Sequence, residues 1–317
     1  MIVYIVACSK VGYLISFGGT EFLDNLMQKI TDYLLNGIIQ STSNCHSLLI
    51  SLLDFGLNSS KALAQQTPQE WNDTAFSFIE TISKDVAIPI AGCIITFVFC
   101  YQIITLVQES NHMHSITPQT IFMLLLKLGI CLFICSKSFD IVNGMFEIAS
   151  WATSKITTEI PADVWDIPMQ ELESSDDISF KFGMVLEYYA NFYITFFALI
   201  IVFIITIAIY LRVNIWYLEL LIYASLSPIP FATFMNKEWG QIGTNYVRKM
   251  FALAFQGFFM VMIFSLYGAI VGNALKLVEI GTYNYLMSIT AATGCGILLF
   301  IMLNKSGNIA ASIFNAH

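Results

Sequence analysis

An apolar run at residues 188–211 constrains this chain more than any other feature of its sequence. About 20 consecutive apolar residues are enough for a helix to cross the hydrocarbon core of a bilayer. Similar runs occupy residues 86–107, 119–136, 246–271 and 283–303. No water-soluble core of this size could bury all of them. The sequence therefore predicts an all-α integral membrane protein.

The composition points the same way and excludes two other classes. Charged residues make up 11% of the chain and hydrophobic residues 57%, whereas soluble domains carry about 25% charged residues. The net charge of −8 argues against a general nucleic-acid-binding surface, because phosphate contacts need clustered cations. The seven cysteines show no metal-type spacing with histidine, and we interpret them as small apolar packing residues.

The N-terminal region is more polar than the rest. Residues 1–17 are apolar but short, with Lys10 in their middle, and fit a peripheral helix, an extra span or an upstream extension better than a secretory signal. Residues 20–35 place apolar side chains at helical spacing among charged ones, and a second amphipathic stretch covers 48–57. These stretches are too polar to span a membrane.

A local pattern predicts where the next helix begins. Thr67 is a suitable N-cap, Pro68 would occupy the first helical position, and Glu70 follows three residues after the cap. This is the capping-box pattern with proline at N1.

The number of spans depends on Arg212, which interrupts an apolar stretch. Either a tight hairpin at Arg212 starts a sixth span, or one helix of about 40 residues, roughly 60 Å long, projects past the membrane. No Gly or Pro marks a turn before Pro228, which favours the long helix. In that helix, Arg212 and Glu219 lie two turns apart on one face. We expect five transmembrane helices, with six as the alternative.

Five segments follow from this division. Residues 1–85 form an amphipathic, peripheral helical region, and 86–136 contain the first two transmembrane helices. The central residue of the second helix is Lys127, which should face protein or water because a central lysine is costly in lipid. Residues 137–187 form an acidic extracytoplasmic loop, 188–303 a C-terminal transmembrane region, and 304–317 a short tail.

The charges of the short loops predict the orientation. With five spans and the N-terminus outside, the acidic region 137–187 falls outside. The cations that then fall inside are Arg212, Lys237, Arg248, Lys249 and Lys305. With six spans, the same rule places both termini inside.

Polar residues form a stripe at the start of the 246–271 span. Asn245, Lys249 and Gln256 share one helix face with Ala252. Such a stripe either lines an aqueous path or supplies hydrogen bonds between helices, and the sequence leaves both open.

Two small residues in the same span, Gly268 and Gly272, form a G-x-x-x-G motif. This spacing predicts close contact with a neighbouring helix.

No pattern of catalytic, cofactor-binding or metal-binding residues is evident. His112 and His114 form an H-x-H pair, but no third ligand is near in sequence, so we interpret it as part of a solvated loop. Nucleophile-elbow, phosphate-loop and zinc-protease motifs do not occur. We expect neither an active site nor a cofactor.

Two consecutive segments resemble a known family. SPIPFAT begins at Ser227 and NKEWGQIGTNYVRKMFALAFQGF at Asn236, and together they are similar to the signature region of the TrbL family, also called the VirB-six family. The resemblance extends to TPQEWN, IPIAG, NHMH and SIFNAH, which begin at Thr67, Ile88, Asn111 and Ser312, and it covers about residues 20–317. It is closest to the branch found in conjugative elements of Gram-positive bacteria.

The resemblance implies a function. Members of this family are polytopic subunits of type IV secretion and conjugation machines. They form oligomers, expected to be rings, in the cytoplasmic membrane near the translocation ATPases. They help pass a DNA strand with its relaxase, or a protein, across that membrane. The expected partners are therefore other secretion subunits, the ATPases, membrane lipid, and translocated DNA or protein. The usual family topology has five spans, with the N-terminus outside.

On this interpretation, a set of polar, aromatic and turn residues is expected at the pore or in assembly contacts. They are Arg212, Glu219, Pro228, Pro230, Trp239, Gly240, Asn245, Arg248, Lys249 and Gln256.

The rival hypothesis is a self-contained secondary transporter. Transporters often contain inverted repeats and broken helices with ionisable groups near the bilayer midplane. The two halves of this chain show no repeat, and the polar central region suits assembly with partners better.

Overall fold

The structure is a computed structural model that describes residues 20–109, 118–156, 178–236, 238–278 and 284–316. Within these ranges it contains ten α-helices, one π-helical turn, one 3-10 turn and no strand. The predicted all-α class is therefore confirmed. Residues 1–17, Lys237, and the pair His112 and His114 lie outside the described residues.

Helix α1, Thr20–Gln65, is one continuous helix of 46 residues, where the sequence predicts two amphipathic stretches. Its many hydroxyl residues stay helical because they donate to the carbonyl one turn back. Thr42 Oγ1, for example, donates to Ile38 O at 2.8 Å, and Ser51 Oγ donates to Ser47 O at 2.8 Å. Such back-bonding satisfies the hydroxyl without breaking the helix.

The predicted cap at Thr67 is confirmed and starts helix α2, Pro68–Trp71. The Glu70 N–H donates to Thr67 Oγ1 at 3.3 Å, and the Thr67 N–H donates to Glu70 Oε2 at 2.8 Å. The backbone hydrogen bond from Thr67 lowers the pKa of the Glu70 carboxyl below its ordinary value. Helix α3, Asp73–Ile82, follows directly, and its N-cap Asn72 accepts from the Ala75 N–H at 2.9 Å.

Helix α3 continues through a π-helical turn, Ser83–Ala87, into α4, Ile88–Glu109. Pro89 sits just after this turn. A proline inside a helix lacks an N–H and crowds the carbonyl four residues earlier. A widened turn at this point accommodates the ring, so the helical stretch Asp73–Gln108 stays continuous for 36 residues.

Helix α5, Pro118–Ser136, is followed by α6, Ser138–Ser154. Helix α6 lies in the region predicted as an acidic loop, and it is helical because one of its faces is apolar and buried. Phe139, Val142 and Phe146 are on that face, and the Phe139 ring lies 5.4 Å from the Phe76 ring of α3. Residues 157–177 lie outside the described residues.

Helix α7, Ile178–Ser225, runs for 48 residues without a break at Arg212. The long helix is therefore confirmed, and the hairpin alternative is wrong. At 1.5 Å per residue the helix is about 72 Å long.

The chain ends with α8, Pro228–Ala232, a 3-10 turn, Thr233–Met235, and the helices α9, Gly240–Val278, and α10, Asn284–Ile313. Helices α9 and α10 are longer than the predicted spans because their polar ends remain helical.

By length and composition, five helical stretches in the described part of the chain can cross a membrane. They are Asp73–Gln108, Pro118–Ser136, Val185–Met235, Gly240–Val271 and Ile289–Ile313. The protein is a multi-pass α-helical membrane protein.

The chain divides into two compact units. The first comprises Met1–Asp54, Trp165–Ile204 and Val271–Gly294. A small apolar cluster within it joins α1 to α7, with Leu35 and Ile38 packed on Val185 and Tyr188.

The second unit comprises Phe55–Val164, Ile205–Ile270 and Cys295–His317. Its central contacts come from two neighbouring aromatic residues of α7. The Tyr217 hydroxyl lies 2.7 Å from the carbonyl oxygens of both Leu63 and Gln66, at the end of α1. Trp216 Nε1 donates to Leu253 O of α9 at 2.9 Å. These two side chains therefore fix α1 and α9 against α7.

Candidate functional site

The short helix α8 is held between α4 and α5 in the second unit. Pro228, Phe231 and Ala232 are buried there. The Cys131 thiol of α5 approaches Phe231 O at 3.7 Å and Ala232 O at 3.6 Å, and the backbone carbonyls of such a short helix need partners from outside it. Pro230 O accepts from Thr233 Oγ1 at 2.7 Å.

The cysteines divide by environment. Cys131 and Cys135 are buried, as expected for packing residues, whereas Cys93 and Cys100 on α4 are exposed on the surface of the chain. The Cys135 thiol approaches Pro228 O at 3.6 Å. The two buried thiols therefore both face the α8 backbone.

One contact does not fit the predicted orientation. Ser227 Oγ donates to Ser138 Oγ at 3.2 Å, and both residues are buried. The contact places the C-terminal ends of α5 and α7 at the same depth relative to the membrane. The charge rule places the region from 137 outside and the residues after Arg212 inside. That rule assumes one complete crossing per apolar run, whereas α7 is more than twice the hydrocarbon thickness of about 30 Å.

The turn between α8 and α9 is anchored on α4. The Trp239 ring stacks on Phe97 at 5.7 Å and lies 6.1 Å from the Tyr101 ring. Gln102 Nε2 donates to Met235 O at 2.6 Å. The Gly240 N–H donates to Asn236 O at 2.7 Å and so starts α9.

Gly243 is a part of this site that the sequence analysis does not single out. A Cβ there would lie 2.8 Å from Pro230 O and 2.9 Å from the Phe234 ring. The Gly243 N–H donates to Thr233 Oγ1 at 3.1 Å. Only a residue without a side chain fits between α9 and the carbonyl end of α8. A glycine one turn after the helix start at Gly240 is the sequence signal that could have found it.

The structure separates the members of the predicted polar stripe. Lys249 Nζ lies 3.8 Å from Glu219 Oε1 of α7 and 5.7 Å from the centre of the Tyr223 ring. Gln256 is buried, and its Nε2 donates to Ser306 Oγ of α10 at 3.5 Å. Asn245 is exposed. At Gln256, therefore, the structure has an interhelical hydrogen bond.

A polar cleft of about 560 Å³ lies beside this stripe. Its cations are Lys127 of α5 and Arg248 of α9, which the sequence separates by more than a hundred residues. The cleft is also lined by the polar side chains of Asn236, Gln241, Thr244 and Asn245. The expectation that Lys127 faces protein or water agrees with this position.

Comparison with protein families identifies the chain. The family described as TrbL/VirB6 plasmid conjugal transfer like protein matches residues 57–228, more than half of the chain. The chain belongs to this family. Comparison with curated proteins and with solved structures gave no significant match.

The TrbL/VirB6 match covers the last turns of α1, helices α2 to α7 and the first residue of α8. It includes TPQEWN, IPIAG and NHMH, and it ends at Pro228. Five of the seven residues of SPIPFAT and all of the segment that begins at Asn236 therefore lie beyond the matched range.

In this TrbL/VirB6 member, Arg212 is half-buried on α7. Its Nε is buried and has no hydrogen-bond partner among the described residues. Nearby on the same helix, Asn214 Oδ1 accepts from Trp71 Nε1 at 3.2 Å. The residues that follow Arg212 thus pack on their own chain, and the expected assembly role of Arg212 remains a prediction.

For the predicted G-x-x-x-G packing motif, the structure describes the surroundings of only one of the two glycines. Gly268 is buried in α9, and the surroundings of Gly272 lie outside the described residues. Another pair of glycines has clear packing contacts. A Cβ at Gly257 would lie 2.6 Å from the Trp216 ring, and one at Gly56 would lie 2.5 Å from Thr206 Cγ2.

No group of three His, Cys, Asp or Glu side chains in the described ranges could hold a metal ion. The described residues of the site offer hydrogen bonding, ion pairing and the positive charge of the cleft.

Proposed function

We propose that this chain is a channel or scaffold subunit of a conjugative type IV secretion machine. In that role it helps a DNA strand with its relaxase, or a protein, to cross the cytoplasmic membrane. The observation that carries the proposal is the family match over residues 57–228. This range contains the first two candidate spans and most of the third.

The proposal includes assembly with copies of the chain and with other membrane subunits. Large apolar side chains are exposed on several helices, among them Phe97, Phe122, Phe133 and Phe197. In a membrane these surfaces face lipid or a neighbouring subunit. The absence of a recognisable catalytic motif suits a subunit whose energy comes from partner ATPases. We place it in the Gram-positive branch on the resemblance of residues 227–258.

A mating experiment tests the proposal. The gene is deleted from its conjugative element, and the full-length chain is then supplied in trans. Transfer frequency should fall to background in the deletion strain and recover with the wild-type chain. Normal transfer in the deletion strain would overturn the proposal.

A second measurement separates it from the secondary-transporter hypothesis. The purified chain in vesicles should not move small solutes down a gradient at rates above protein-free vesicles. Substrate-dependent flux by the isolated chain, together with normal mating of the deletion strain, would support the transporter.

A further inference from the structure

The polar cleft at the start of α9 offers a site for a phosphate group. We propose that it binds the phosphate of an anionic phospholipid, held between Lys127 and Arg248. The two cations come from different helices and line the same cleft, together with amide and hydroxyl side chains. The proposal is independent of the proposed role in conjugation.

Among the described residues, the cations of the cleft have no counter-charge. Neither Lys127 nor Arg248 forms an ion pair in the part of the chain that the structure describes. Lys127 is the central residue of α5, whose neighbouring side chains are apolar. In the cleft this lysine lies beside the polar first turns of α9. A bound anion would offset part of the cost of holding an unpaired cation next to apolar side chains.

Side chains would hold the phosphate, because three of the first four backbone donors of α9 are already in use. The N–H groups of Gly240, Ile242 and Gly243 donate within the protein, to Asn236 O, Trp239 O and Thr233 Oγ1. Arg248 can offer two parallel N–H donors to a phosphate, and Lys127 can act as a point charge. Both cations should therefore be needed.

The surroundings of Lys127 favour a lipid over a soluble phosphate compound. Large apolar side chains of α5 on both sides of it are exposed, including Phe122 at 65%, Met123 at 56% and Ile130 at 52%. Phe234, also exposed, lines the cleft itself. Acyl chains can lie along this apolar surface while the headgroup enters the polar cleft, an arrangement that a free phosphate cannot exploit.

Native mass spectrometry of the full-length chain in detergent tests the site. Phosphatidylglycerol is titrated against phosphatidylcholine, and the fraction of protein with bound lipid is measured. We expect preferential retention of phosphatidylglycerol. Retention should weaken about tenfold in Lys127→Gln and in Arg248→Gln, as expected for the loss of one charge-assisted hydrogen bond.

Matched variants make the test specific. Lys305→Gln removes an exposed cation of α10 that lies outside the cleft and should bind lipid like the wild type. Lys127→Arg keeps the charge and should retain most of the binding, whereas Arg248→Lys keeps the charge but loses the two parallel donors and should retain less. The proposal would be overturned if Lys127→Gln and Arg248→Gln elute and melt like the wild type but show no change in lipid retention.

Two further arms distinguish the source of the phosphate. Glycerol phosphate at the lipid concentration should not displace the lipid. Displacement would show that the apolar surface contributes nothing, and it would overturn the assignment of a lipid to the cleft. A single-stranded oligonucleotide should not bind with the same dependence on Lys127 and Arg248. If it does, and lipid retention is unaffected, the cleft is a nucleic-acid site and the proposal is wrong.

Discussion

The hydroxyl of Tyr217 offers the sharpest test of how the second unit is held together. It lies 2.7 Å from two carbonyl oxygens, Leu63 O and Gln66 O, at the C-terminal end of α1. The ring also stacks on Trp71 at 5.0 Å with an interplanar angle of 7°. Tyr217→Phe removes the hydroxyl and keeps the ring, so it isolates the contribution of the hydrogen bond.

The expected magnitude follows from these contacts. One hydroxyl proton can serve only one carbonyl fully at a time. Leu63 O keeps a second donor, the Gln66 N–H at 3.1 Å, so Gln66 O is the acceptor that loses its partner. A net hydrogen bond contributes about 0.5–1.5 kcal/mol, and a buried acceptor left unpaired costs about 1–3 kcal/mol. We expect a loss of about 1–2 kcal/mol, which lowers the melting temperature of a unit this size by about 2–8 °C.

Thermal unfolding of the purified full-length chain in detergent measures this loss. Tyr210→Phe is the matched control, because Tyr210 lies on the same helix and is 46% exposed. Its melting temperature should equal that of the wild type. If Tyr217→Phe also melts like the wild type, the hydroxyl does not hold the end of α1, and the reasoning fails.

Two further predictions concern the α8–α9 turn and the ion pair. Gly243→Ala should reduce conjugative transfer, because its Cβ would lie 2.8 Å from a backbone carbonyl. Gly92→Ala on α4, where no described atom lies within 4 Å, should leave transfer unchanged. Equal mating frequencies of the two variants would contradict this. Lys249→Glu should lower transfer, because it places a second carboxylate opposite Glu219 and the two repel each other. The double variant Lys249→Glu with Glu219→Lys restores an ion pair and should restore transfer. Each exposed pair of this kind contributes only about 0.2–1 kcal/mol, so unchanged transfer by Lys249→Glu at wild-type protein levels would exclude an electrostatic role.

Features set by neighbouring residues could be predicted from the sequence. The cap at Thr67 depends on residues three apart, and the hydrogen bonds of the cap form as expected. The continuity of α7 through Arg212 follows from the absence of Gly and Pro in that stretch. In both cases the physical cause is local, so the sequence pattern contains it.

Features that depend on distant pairing could not be predicted. The spacing of Asn245, Lys249 and Gln256 places them on one helix face, but it cannot say which helix each one meets. Lys249 meets Glu219 of α7 and Gln256 meets Ser306 of α10. Similarly, nothing near Lys127 in sequence indicates Arg248.

The orientation in the membrane is the point on which sequence and structure differ most. The charge rule separates residue 137 from the end of α7 by a bilayer, whereas Ser138 and Ser227 share a hydrogen bond of 3.2 Å. Two buried hydroxyls at this distance must lie at the same depth. Because α7 has 48 residues, either its N-terminal or its C-terminal half can cross the bilayer. The half that crosses determines on which side of the membrane the C-terminal end of α7 lies.

Thiol labelling of intact cells decides between the orientation that the charge rule predicts and the common depth that the contact between Ser138 and Ser227 requires. Single cysteines at Asp140 and Leu226 lie beside the two hydroxyls, and both residues are exposed. In a background without native reactive thiols, an impermeant maleimide should label both positions in intact cells or both only after lysis, because the contact between Ser138 and Ser227 fixes their common level. A control cysteine at Lys305 reports the side of the C-terminal end independently. Labelling of the cysteines at positions 140 and 226 from opposite sides would mean that the contact between Ser138 and Ser227 does not form in the membrane. The position of α8 between α4 and α5 would then be wrong as well.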